Sequence, residues 1–169
     1  MKNIFIVIGF LLSINLFAQA EIIPTFIEKW DNSKEYLLAV ASAMPEEQYD
    51  FKPAAREMSF REQLFHIQDN MLWLSTTHFS TQKYEKKVFD TSRSKAQILL
   101  DIQTSFDQAR AFVQQASEGE LSNKVPFFAG PKSKLQILNL MQDHLTHHRA
   151  QIIVYLNLKQ IEPPKYVGW

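Results

Sequence analysis

Apolar residues in this chain recur at intervals of three and four, the period of a helix that buries one face. The pattern is plainest from Phe60, where Leu64, Ile67, Met71 and Leu74 follow at alternating spacings of four and three. Ser59 with Glu62 forms a capping box at the start of that run, which fades near Phe79 into Ser80-Thr81-Gln82. An earlier run, Thr25 to Ala43, lies between Pro24 and Pro45 and carries Trp30, Leu37, Leu38 and Val40 on its apolar face. A loop from Met44 to Met58 separates the two. The third run starts around Ser92 to Ser94, where Ser94 and Gln97 make a second box. Ile98, Ile102, Phe106, Ala109 and Val113 line its buried side, and Gly119 marks its end. Pro126, Gly130 and Pro131 hold a loop, after which Ser133 with Gln136 opens a fourth helix that runs to Lys159, ahead of Pro163-Pro164. No alternating strand pattern, internal repeat or low-complexity linker is present. The prediction is one all-α domain, a four-helix bundle.

The first twenty residues stand apart from that pattern. Lys2 precedes an apolar run from Ile4 to Phe17, and Ala18-Gln19-Ala20 closes it with small residues where a signal peptidase reads. Fourteen helical residues rise only ~21 Å against a hydrocarbon core of about 30 Å, so the segment reads as a signal peptide, residues 1–20, rather than a stable membrane anchor. No cysteine follows to carry a lipid. The expectation is an exported protein, periplasmic or secreted, whose domain spans 21–169. Without Lys2 the domain holds 17 basic and 18 acidic residues, a net charge of −1. Such a balance disfavours nucleic acid as a partner, since tracking phosphates calls for a basic surface. The absence of cysteine removes disulfides, thiolate ligands and a cysteine nucleophile together.

Three of the five histidines crowd into Asp143-His144-Leu145-Thr146-His147-His148-Arg149. At ~100° per residue, His144 and His148 fall within about 40° of each other, inside the stripe of Ile137, Met141, Ile152 and Tyr155. His147 falls about 60° to the other side on the same wheel, at the stripe's margin. Histidines one turn apart can chelate one ion together. The same spacing also describes two core histidines bonded to polar neighbours. A metal needs a further ligand from another helix, and the second helix offers both His66 and His78. The wheel slightly favours His78, which continues the apolar stripe, whereas His66 lies on the flank with Glu62, Asn70 and Trp73. Periodicity does not decide between them.

Arg56-Glu57-Met58-Ser59-Phe60 followed by Leu64-Phe65-His66-Ile67 resembles the second-helix signature of the DinB-like superfamily of metal-binding bundles. His144, His148-Arg149 and Gln151 resemble that family's H-x-x-x-H-R-x-Q segment. Met44-Pro45-Glu46-Glu47 to Phe51-Lys52-Pro53 is similar to its first connection, and Leu156 and Leu158 to Pro163-Pro164 to its ending. The resemblance implies an up-down-down-up bundle. It also implies a site for zinc or nickel made by His66, His144 and His148, with positions open to water or a small-molecule substrate. Some members are thiol-dependent transferases or isomerases using bacillithiol or mycothiol. An export signal sits badly with that activity, because those thiols are held in the cytoplasm.

Three neutral nitrogens with an open position suit a catalytic metal better than a closed structural one. A protease of the H-E-x-x-H type is disfavoured, because Leu145 stands where that motif places its glutamate. Glu62, one turn before His66, is a candidate base whose capping role at Ser59 is the simpler reading. Gln151 falls within about 20° of His144 on the wheel and can orient a ligand from behind. Arg149 reads as a surface or helix-end cation. Trp30, Trp73 and the phenylalanines read as core, with a minority beside the metal. Three functions are open: a metal-dependent transferase or hydrolase, a metal-containing binding or stress-response module without turnover, and a bundle whose histidines bind nothing. Monomer and homodimer are both open.

Overall fold

The computed structural model describes residues 22–169, so the expected signal peptide lies outside the described residues. Four helices carry the domain: α1 (Ile22–Ala43), α2 (Phe60–Phe79), α3 (Lys95–Gln114) and α4 (Lys134–Leu158). The three expected capping boxes all form. Ser59, Ser94 and Ser133 each accept the backbone N–H three residues on, while Glu62, Gln97 and Gln136 reach back to the cap. Each box satisfies two of the N–H groups that a helix start leaves unpaired.

Three boundaries differ from expectation. Helix α1 begins at Ile22 and runs through Pro24, which costs no hydrogen bond in a first turn where the N–H has no helical partner. Helix α3 stops at Gln114 rather than Gly119, and a short 3₁₀ turn, Glu118–Ser122, follows. Strands β1 (Lys124–Val125) and β2 (Lys132–Ser133) pair antiparallel across the loop before α4. A ladder of two residues per strand is too short to print an alternating pattern.

The helices run up, down, down, up. Trp30 packs on Phe106, while Lys95 at the start of α3 donates to the carbonyls of Ser42 and Met44 at the end of α1, so α1 and α3 are antiparallel. Arg61 donates to the Arg93 carbonyl, which sets the starts of α2 and α3 side by side and makes them parallel. Gln63 meets Tyr155 and Lys134 lies over Phe79, making α2 and α4 antiparallel. Each helix therefore touches two others and faces the remaining one across a diagonal. Trp30, Leu37, Leu64, Ile67, Leu74, Ile98, Ile102, Phe106, Ile137 and Ile152 fill the centre at 0–1% exposure. The α2–α4 seam positions the histidines.

Candidate metal centre

His66 on α2 meets His144 and His148 on α4. The Nε2 atoms of His66 and His144 stand 3.0 Å apart. Ring centroids are 4.8 Å apart for His66–His144, 4.5 Å for His66–His148 and 4.3 Å for His144–His148. One nitrogen from each ring lies within 4.8 Å of the others. Tetrahedral ligands on zinc at ~2.1 Å would stand about 3.4 Å apart, so small rotations of these rings fit the group to one ion. His148 is buried, whereas His66 and His144 keep an open side.

The network behind His148 fixes its tautomer. Tyr155 donates its hydroxyl to the Met58 carbonyl at 2.9 Å and so accepts from the Gln63 amide nitrogen at 3.4 Å. That turns the Gln63 oxygen toward His148 Nδ1, 2.7 Å away. The Gln151 amide nitrogen is spent on His147 Nε2, so its oxygen also faces His148 Nδ1, at 3.1 Å. With two acceptors converging on it, Nδ1 carries the proton and Nε2 presents a lone pair. This is the support that histidine ligands commonly receive from outside the ligand set.

Burial holds these rings neutral. Desolvation, followed by the neighbouring imidazoles of His148, His66 and His147, brings the His144 pKa down to about 3. Desolvation, with His66 and His147 behind it, brings His148 to about 4, against a smaller opposing pull from Gln151. His66 is lowered too, again chiefly by desolvation, with Asp69 opposing. Imidazoles already unprotonated at neutral pH have no proton to shed before taking a metal.

His78 does not join the group. It is buried beside Phe127 near the far end of α2, with its Nε2 unpaired among the described residues. His147 is exposed, as the wheel places it. Glu62 caps Ser59 and pairs with Lys52 at 2.8 Å. Arg149 corrects the sequence reading: it is 5% exposed, not a surface cation, and its guanidinium lies 4.6 Å from the Tyr36 ring on α1. Gln63 escaped the sequence reading, which placed Tyr155 only in the apolar stripe of α4. Gln63 faces His148 across the α2–α4 seam, and Tyr155 lies about two turns beyond His148 on α4 itself. Trp73 is only partly buried.

An all-α bundle with a histidine triad on one seam defines the class. The DinB family model matches residues 15–166, and the chain belongs to the DinB family. A DinB-like protein of Bacillus subtilis shares the fold, with a TM-score of 0.69 and 17% identity over 84% of this chain and 96% of that one. A DinB-like protein of Bacillus cereus does so with a TM-score of 0.71 and 18% identity over 84% and 95%. No curated protein matches the sequence.

Proposed function

We propose that this protein binds one divalent metal, zinc or nickel, through His66, His144 and His148, and acts with it on a small molecule. The observation that carries the reading is the convergence of three neutral imidazoles within 4.8 Å, one of them with its tautomer set by Gln63 and Gln151. When bound, the metal supplies Lewis acidity that can make water or a thiol nucleophilic at neutral pH. The reaction class is transfer or hydrolysis, with the open side of His66 and His144 facing the substrate.

One observation favours a second reading, a metal-containing binding module without turnover. Two glutamines support His148, and no carboxylate hydrogen-bonds to any of the three rings among the described residues. Either way the protein is read as exported and as having no nucleic-acid partner. Among the described residues no helix is long and apolar enough to cross a membrane.

Metal analysis of tag-free protein purified without chelator tests the reading. About one equivalent of zinc or nickel is expected, lost in His148→Ala. A metal-free wild type that stays so after incubation with either ion overturns it.

A further inference from the structure

The seam that carries His66 continues past the triad onto an aromatic shelf that the proposed chemistry does not use. Trp73 lies seven residues beyond His66 on α2, about 20° round the helix and ~10 Å along it. On it rest two phenylalanines from the loop before α4. The rings of Trp73 and Phe127 stack at 5.8 Å and 21°, and those of Trp73 and Phe128 at 6.3 Å and 25°. Phe127 and Phe128 touch at 4.4 Å. Phe128 is 83% exposed, a large apolar ring left in water beside two half-buried ones.

We infer that Trp73, Phe127 and Phe128 form a specificity subsite for the apolar tail of a small molecule whose metal-ligating head sits at the histidine triad. The inference rests on the metal reading above. Three features select this occupant. The shelf shares a helix face with His66, so a ligand leaving the open side of the triad along α2 passes Asn70 and reaches Trp73. Its distance matches a short chain ending in a flat or branched apolar group. Its area is too small for a protein partner: three rings, two of them half-buried, offer at most about 500 Å², against the roughly 800 Å² per partner of a stable interface. The stacked faces favour an aromatic or extended hydrocarbon tail over a sugar or a phosphate, because the three shelf residues present aromatic rings.

Cobalt(II)-loaded protein tests this, with the metal's visible absorption as the reporter of head-group binding. The probes are acetohydroxamate, which is head group alone, and phenylalkyl hydroxamates of increasing chain length from benzohydroxamate upward. In wild type the chain long enough to lay its ring on Trp73 should bind about tenfold tighter than acetohydroxamate. Phe128→Ala and Trp73→Ala should lose that advantage and leave acetohydroxamate binding unchanged. Phe128 is too exposed for its truncation to endanger the fold. A flat chain-length series in wild type, or an advantage that survives both variants, overturns the subsite and leaves the metal reading standing. Absence of cobalt absorption bands overturns the metal reading and the subsite with it. A dimer that Phe128→Ala converts to monomer overturns the subsite in favour of a second copy covering the shelf.

Discussion

The same helix carries two histidines in opposite surroundings. His66 and His78 both lie on α2, and both have pKa values lowered mainly by desolvation, although His66 keeps an open side. His78 is the more buried residue, at 8% exposure, and among the described residues it has no polar partner for Nε2. His66 meets two more imidazoles across the seam. Burial and a lowered pKa therefore do not tell the two apart; the convergence of several lone pairs at His66 does. A hollow elsewhere in the bundle teaches the same lesson. A groove of about 840 Å³ between the start of α1 and the start of α4 is lined by Ile22, Phe26, Leu135, Leu138 and Asn139 and contains no histidine.

The strongest way to break the contrast is metal-dependent melting. With free zinc or nickel a thousandfold above its dissociation constant, wild type should gain about 4 kcal/mol, or roughly 8 to 16 °C. His66→Ala, His144→Ala and His148→Ala should lose the shift, while His78→Ala and His147→Ala keep it. A shift abolished by His78→Ala and retained by His66→Ala would reverse the comparison.

Acid should act next. In the metal-free fold His144 and His148 stay neutral down to about 3 and about 4, whereas in the unfolded chain they take up protons below about 6.5. The unfolded state binds more protons in that window, so stability is full above pH 6.5 and falls as pH drops toward the folded values. The ceiling is ~1.4 kcal/mol per pH unit for each ring, about 2.8 for the pair. Denaturant melts between pH 7 and 5 should show the loss, and His144→Phe should remove part of it. A pH-independent midpoint contradicts neutral burial.

Cutting the support behind the triad should cost less. Gln63→Leu leaves every ligand in place and removes the closest acceptor from His148 Nδ1. A 10- to 100-fold drop in zinc affinity is expected by competition titration, in keeping with lost outer support of a ligand histidine. Unchanged affinity would mean that Gln151 alone sets the tautomer.

The smallest effect is at His78. Replacing it by Leu removes an unpaired buried nitrogen, and stability should hold or rise by about 1 kcal/mol. A loss of several kcal/mol in chemical denaturation would show that this nitrogen has a partner after all.

Much of this was legible in the sequence. The boxes at Ser59, Ser94 and Ser133 announce helix starts because side chain and backbone pair within four residues. The wheel separated His144 and His148 from His147 for an equally local reason. It could not choose between His66 and His78, because an apolar stripe locates core, and His78 is the more buried of the two. It failed at Arg149 because a helix in a four-helix bundle is covered along two seams. His144 and His148 face α2, whereas Arg149 faces α1 and Tyr36. Nothing in the sequence singles out Gln63, since its partners lie 85 and 92 positions away.

His66 and His144 are 78 positions apart, with all of α3 between them. A metal held by both is thus a cross-link between two halves of one chain, closing a loop that contains the α2–α3 connection. The length-dependent entropy of closing such a loop is about 4 kcal/mol. Any partly unfolded form that kept the ion would carry that restriction, and a chain nicked between Thr81 and Arg93 would remain tethered through it. The ion's release would then report the opening of the whole bundle rather than the fraying of a single helix.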